Sequence, residues 1–200
     1  MKNKKEILIF DFDGVIGDTF EFNYEIIKEL HPEVQESRYR IDHHMGNVYE
    51  NPSVSFTKET KESFFKQYSE RLTADHIKNF LPHVEKLYSK YAMHIVSSNS
   101  ESAISRVLED AGIRDYFGHV LGKETHESKV EKFKHLAQME GIRLREALFI
   151  TDTLGDLNEA NKVSLVSYAV SFGYHPDYIL KKGHPKEIFS SWEEAIQFLL

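Results

Sequence analysis

The sequence predicts an α/β fold, a mostly parallel sheet with helices on both faces, and three observations carry that prediction. Short apolar runs alternate with amphipathic helical patterns over most of the chain. Acidic or hydroxyl-bearing residues follow directly on three of the apolar runs, where ligands bind in open parallel sheets. One block, residues 20–81, breaks the alternation and reads as a helical insert.

The strand candidates, in order, are residues 7–10 (Ile7-Leu8-Ile9-Phe10), 92–97, 119–121, 147–150 and 165–170. Such short unbroken apolar runs suit strands covered on both faces. Between them, residues 102–111 place Ile104, Val107, Leu108 and Ala111 on one helical face, and 130–139 repeats Phe133, Leu136 and Ala137 at helical spacing. Gly112 and Gly141 follow where C-terminal caps belong. Within the insert, helical patterns at 22–30, 58–71 and 75–80 flank a polar stretch holding His43, His44, Gly46, Asn51 and Pro52. A block of about 60 residues is small for an independent domain. The expected division is therefore a core of 1–19 and 82–200, with 20–81 as its insert. The tail ends in Trp192, Ala195, Ile196 and Leu199 at helical spacing, a docking helix in which Trp192 packs.

Two hundred residues suffice for one domain with a full core. With 40% hydrophobic and 12% aromatic residues the chain is globular. Its 32 Asp plus Glu against 25 Lys plus Arg, net charge -7, argue against nucleic acid or an anionic membrane as partner. An anionic small substrate remains compatible, because it answers to the local field of a site. The absence of cysteine excludes disulfides, zinc–thiolate sites and thiol catalysis. The first apolar run stops at Asp11, too soon for a signal-peptide core, and no apolar run approaches the ~20 residues of a membrane helix. A soluble cytoplasmic protein, monomer or homodimer, is expected.

Asp11 and Asp13 end the first strand and precede Gly14. In extended chain they would share one side, and such a pair needs a metal, a proton or a cation. The same residues could form an Asx-type turn. The second strand ends in Ser97-Ser98-Asn99-Ser100, which could bind an oxyanion at a helix start or merely cap that helix. Lys129 opens a later helix, where a cation would add to the helix dipole; Lys123 and Lys132 lie nearby. The fourth strand ends in Thr151-Asp152-Thr153-Leu154-Gly155-Asp156, an oxygen-rich pattern of the kind magnesium uses.

In order and spacing these four segments resemble the haloacid dehalogenase superfamily of phosphohydrolases, over nearly the whole chain, in the branch that includes phosphoglycolate phosphatase and β-phosphoglucomutase. Asp11-Phe12-Asp13-Gly14-Val15 looks like its first motif, Ser97 (or Ser98, in the next register) like its second, Lys129 like its third, and Asp152 with Asp156 like its fourth. Thr151 stands where the family usually has Gly. The resemblance implies a Rossmann-like core with a small all-helical cap between motifs one and two. It implies Asp11 as nucleophile forming an aspartyl-phosphate and Asp13 as general acid and base. It also implies Mg2+ on Asp11, the Asp13 carbonyl and Asp152, phosphoryl contacts from Ser97, Ser98, Asn99 and Lys129, and Asp156 behind them. Members that cleave carbon–halogen bonds generally lack an acid at the position of Asp13, which favours a phosphatase of a small phosphorylated metabolite. A phosphomutase, or a non-catalytic phosphate-binding module on the same fold, carries the same motifs.

Tyr39, Arg38, Arg40, His43 and His44 are the insert's candidates for reading the substrate. Asp42-His43-His44 also echoes the metal motif of a manganese phosphoesterase family, but the further acidic motifs are missing. The 11 histidines could include a metal site; most, with His31, His83, His175 and His184 near prolines, read as surface residues.

Overall fold

The computed structural model describes residues 5–49 and 57–200; Asn51 and Pro52 of the polar stretch lie outside the described residues. In chain order the elements are β1 (Glu6–Phe10), α1 (Phe20–Leu30), α2 (Glu36–Arg40), α3 (Lys58–Arg71), α4 (Val84–Lys90), β2 (Tyr91–Val96), α5 (Glu101–Asp110) and β3 (Phe117–Leu121). Then follow α6 (Lys129–Glu140), β4 (Ala147–Thr151), α7 (Leu154–Lys162), β5 (Val166–Val170), α8 (Asp177–Leu180), β6 (Ile188–Phe189) and α9 (Trp192–Leu199). The expected helix at 75–80 is instead a 3₁₀ turn, Ala74–Ile77, followed by another at Leu81–His83. Among the described residues no helix is long and apolar enough to cross a membrane.

The six strands form one sheet in the order β3-β2-β1-β4-β5-β6, with every described pairing parallel. Strand order therefore reverses at β1 and β4, where Phe10 sits beside Ile150 and the Asp11 N–H donates to the Ile150 carbonyl at 2.9 Å. A crevice opens at the carboxyl ends of strands at such a switch point, and the Asp11 and Asp152 segments leave the sheet on either side of it.

Alternation along β1 divides its side chains between two cores. Leu8 and Phe10 join Met93, Ile95, Ile104, Val107, Trp192 and Leu199 on one face. Ile7 and Ile9 join Phe133, Leu136, Phe149 and Ala160 on the other. Phe22 and Ile26 of α1, with Tyr68 and Leu72 of the α3 end, belong to the first of these clusters, so the insert's helices complete the sheet's own core. Trp192 is buried against Phe10 and Phe80, with ring centroids 6.2 and 5.0 Å away.

Local chemistry sets the helix ends. The Ser100 hydroxyl accepts the Ala103 N–H at 3.5 Å as the N-cap of α5, so the capping role falls to Ser100 and leaves Ser97 and Ser98 free of it. Thr153 caps α7 through the Asp156 N–H at 3.4 Å, and Gly141 closes α6 in the left-handed region at φ 63°.

Phe10 is fully buried, with its ring edge-on to Phe80 and Phe117. Phe10→Ala removes that contact on the central strand and is expected to lower unfolding free energy by about 3–5 kcal/mol. Urea denaturation followed by far-UV circular dichroism measures it; a loss under about 1 kcal/mol would contradict this packing.

Candidate active site

β1 ends at Phe10, and the chain turns at once. The Gly14 N–H reaches the Gly17 carbonyl at 2.8 Å and the Gly17 N–H reaches the Phe12 carbonyl at 2.8 Å. Asp11 and Asp13 therefore do not share one extended strand, as their spacing suggested. Both line one cavity of about 120 Å³ at the switch point, with separate partners.

Asp11 is buried, with Oδ1 accepting the Phe12 N–H at 2.7 Å and lying 2.9 Å from Lys129 Nζ. The same ammonium donates to Asp156 Oδ2 at 2.6 Å, and the Thr151 hydroxyl donates to that oxygen at 2.7 Å. Among the described residues, Asp13 takes only neutral donors. Its Oδ1 accepts from Thr19 at 2.8 Å and Asn23 at 3.1 Å, its Oδ2 from Asn99 at 2.6 Å, and the Tyr68 hydroxyl reaches both oxygens at 3.2 and 3.3 Å. One carboxylate is thus ion-paired at the base of the cavity, and the other is held at its wall by hydroxyls and amides.

Lys129 lies between Asp11 and Asp156, whereas Lys123 lies over the Phe65 ring and pairs with Glu124. Burial would lower the Lys129 pKa, but Asp11 and Asp156 raise it above the ordinary lysine value. Burial also raises Asp156, yet Lys129 and the hydrogen bonds bring it below the usual carboxylate range. Asp11 goes the other way: burial lifts it well up, against Lys129 and with the added repulsion of Asp156 and Asp152. One ammonium does not hold three buried carboxylates ionised.

Asp152 is fully buried at the end of β4. Its Oδ2 accepts the Tyr174 N–H at 2.7 Å, and among the described residues its Oδ1 has no hydrogen-bond partner. A methyl group at Gly14, which has φ +74°, would lie 2.0 Å from Asp152 Oδ2, so only glycine lets this turn close against the carboxylate. A surplus of buried carboxylate and an orphaned oxygen among oxygen donors form a set that fits a hard divalent cation.

Ser97 is fully buried with its hydroxyl accepting the Asn99 N–H at 3.1 Å, and Ser97, Ser98 and Asn99 all line the cavity. Of the insert's candidates, Tyr39, His43 and His44 line it too. Arg40 does not; its guanidinium covers the Phe20 ring at 3.3 Å and pairs with Glu36 and Glu21. Arg38 is exposed and outside the cavity lining. Asp42 is exposed as well, so Asp42-His43-His44 does not assemble as a metal motif.

Residues 41–49 form a strap across the site that helical patterning did not reveal. The His175 Nε2 meets the Ile41 carbonyl at 3.1 Å, Asn47 donates to Glu159 at 3.1 Å, and Tyr49 donates to the Ser98 carbonyl at 2.5 Å. A Cβ on Gly155 would lie 2.5 Å from the Gly46 carbonyl, so the strap rests directly on α7. Glu159 also accepts the Lys129 N–H and the Ser128 hydroxyl, each at 3.0 Å, joining strap, α6 and α7. Its place one turn beyond Asp156 was the signal that could have found it.

Two histidine expectations are corrected. His175 and His83 are buried, not surface residues: burial against the strap takes His175, and packing beside Trp192 takes His83. Among the described residues His94, His119 and Glu140 do converge, with His119 Nε2 3.2 Å and His94 Nε2 3.6 Å from one Glu140 oxygen. The His94 Nδ1 accepts the His119 main-chain N–H at 3.1 Å, which assigns the ring proton to Nε2, facing Glu140. That nitrogen faces Glu140 at 3.6 Å, beyond hydrogen-bond range, and carrying the proton it is not an open metal ligand.

The model for the haloacid dehalogenase-like hydrolase family matches residues 8–170. A phosphoglycolate phosphatase from Psychrobacter arcticus is 22% identical over 223 aligned positions, covering 98% of this chain and 96% of that protein. In fold, a haloacid dehalogenase-like family hydrolase from Streptococcus pneumoniae superposes with a TM-score of 0.78 at 17% identity, over 98% of this chain and 99% of that one. A hydrolase from Pseudomonas syringae gives 0.79 at 17% identity, over 96% and 97%. With the family match running from β1 to β5 and covering all four site segments, this chain belongs to the haloacid dehalogenase-like hydrolases.

Proposed function

We propose that the protein is a magnesium-dependent phosphatase of a small phosphorylated metabolite, working through an aspartyl-phosphate on Asp11. The observation that carries this reading is the division of labour at the cavity: Asp11 on Lys129 at 2.9 Å, Asp13 apart on neutral donors. Asp11 attacks phosphorus, a covalent step that divides one hard displacement into two. Asp13 gives a proton to the departing ester oxygen and takes one from the water that then attacks the phosphoenzyme. Lys129, Ser97, Ser98 and Asn99 bind the phosphoryl oxygens, and Asp156 with Thr151 keeps the Lys129 ammonium aimed at them. A magnesium ion held by Asp11, the Asp13 carbonyl and Asp152 would offset the phosphate's charge and polarise a phosphoryl oxygen.

The strap and the insert form the wall that meets the leaving group, so residues 20–81 act as the cap in this reading. Ile27, Val48, Phe64 and Phe65 make that wall largely apolar. Among the described residues of the insert, Lys61 is the lysine or arginine that lines the cavity. A short phosphate ester with a carboxylate fits one cation in an apolar wall, and phosphoglycolate, named for the relative above, is the first substrate to assay.

Asp11→Asn is expected to reduce phosphate release to background, and Asp13→Asn to lower kcat about 10²–10⁴-fold, with circular dichroism unchanged. Turnover by Asp11→Asn at the wild-type rate would exclude the covalent route. Lys61→Met should raise KM about 10- to 100-fold for phosphoglycolate and leave KM unaltered for an alkyl phosphate whose alkyl group carries no charge. Equal effects on both would remove Lys61 from substrate recognition.

Metal removal has a pH signature. Burial, with Asp156 adding to it against the Tyr174 N–H, pushes Asp152 up to about 8, whereas in unfolded chain a carboxyl titrates near 4. The native metal-free state therefore holds a proton that the unfolded state has lost, and stability falls as pH rises through about 8. The buried histidines, held below their ordinary value by burial, and Lys132 oppose this slope, but they titrate alike with and without metal, so the difference between the two conditions isolates the carboxylates. Excess magnesium should raise Tm above its value in EDTA, and that gain should grow between about pH 6.5 and 8 as Asp152 loses its proton. Identical curves with and without magnesium would contradict the metal assignment.

A further inference from the structure

Lys132 stands one turn beyond Lys129 on α6 and is fully buried, yet the mechanism above does not use it. Lys129 has two carboxylates within ion-pair distance; among the described residues Lys132 has none. Its Nζ donates instead to the main-chain carbonyl of Ser97. A buried ammonium without a counter-ion is costly, and an apolar side chain would fill the same place without that cost. Packing alone does not account for it.

The contact has a geometric consequence at the site. The Ser97 N–H donates to the Leu121 carbonyl at 2.9 Å, and the Ser97 carbonyl is taken by Lys132, so both peptide groups around Ser97 are fixed. In a trans peptide the C=O and the following N–H point in opposite directions, and no cis peptide is present among the described residues. Holding the Ser97 carbonyl toward α6 therefore turns the Ser98 N–H away from α6. Ser98 lines the cavity, and among the described residues its N–H meets no acceptor, while the neighbouring Asn99 N–H is already bonded to the Ser97 hydroxyl. A fixed, unpaired main-chain N–H is left at the cavity wall.

We propose that Lys132 is a positioning residue: it pins the Ser97 carbonyl so that the Ser98 N–H is presented to a phosphoryl oxygen, and its charge adds to the positive potential behind that oxygen. This rests on the phosphatase reading for its ligand. Neutralising or removing Lys132 frees the Ser97–Ser98 peptide to rotate and weakens phosphate binding without touching Asp11 or Asp13.

The test uses the full chain, with magnesium and inorganic phosphate as the probe. In Lys132→Met, phosphate Kd by calorimetry should weaken about 10-fold or more, and KM should rise more than kcat falls. The phosphate-induced shift of the Ser98 amide in ¹⁵N NMR should be lost. Lys132→Arg, which keeps charge and donors, should bring Kd back to within about 3-fold of wild type. A folded Lys132→Met with unchanged phosphate affinity overturns the proposal, as does a wild-type protein whose Ser98 amide ignores phosphate.

If Lys132→Met does not fold, wild type and Lys132→Arg are compared across pH. Burial and the repulsion of Lys129 bring Lys132 down to about 8, with Asp156, Asp11 and Glu159 facing it and opposing that shift. Those groups are common to both proteins, so the ratio of their phosphate affinities isolates Lys132. Wild type should lose affinity relative to Lys132→Arg as pH rises past about 8; parallel profiles overturn the proposal. Wild-type turnover judges the phosphatase reading separately: full turnover with an indifferent Lys132→Met rejects only the role of Lys132.

Discussion

The Lys129 ammonium, buried between Asp11 and Asp156, is the interaction on which the rest of the site depends. It joins the end of β1 to the first turns of α6 and α7, three elements that meet only because the sheet reverses its order at β1 and β4. A charge at that depth is tolerable only with partners, and it has two. It leaves a carboxylate excess that an additional cation would have to balance. The neighbouring features follow from this: Thr151 supporting Asp156, Glu159 holding the Lys129 N–H, and glycine at position 14 closing against Asp152.

The sheet was legible because its strands are nearly continuous apolar runs, covered on both sides. Five of the six strands, together with α5, α6 and α9, follow from that pattern. β6 escaped because two residues, Ile188 and Phe189, carry no period. Asp11, Asp13, Lys129, Asp152 and Asp156 were legible because each stands just beyond a strand or at a helix start, and the structure brings their segments to one crevice. Asn23, Tyr68 and Tyr174 were not, since their contacts with Asp13 and with one another span up to 151 residues of chain and no local period marks them. Lys132 was hidden for another reason. In sequence it is one lysine among several, and only burial against the Ser97 carbonyl sets it apart.

Thr151 shows how a departure from a familiar pattern becomes understandable in three dimensions. Where glycine would offer no side chain, its hydroxyl donates to Asp156 and accepts the Thr153 N–H at 3.4 Å. The change adds a donor to the carboxylate that steers Lys129. It reinforces the charge arrangement instead of disturbing it.

The shared core of insert and sheet bears on how a substrate gets in. Swinging α1 and α3 away from the sheet would expose Phe22, Ile26, Tyr68 and Leu72 to water, at about 25 cal/mol for each Å² uncovered. Residues 41–49 are tied by hydrogen bonds, whose net worth is about 1 kcal/mol each because water replaces them, and by His43 and His44 packed against the Tyr39 and Tyr174 rings. Releasing the strap would cost its own contacts and leave the core shared by insert and sheet intact. An entrance opened at the strap keeps that core, whereas one opened at the helices breaks it.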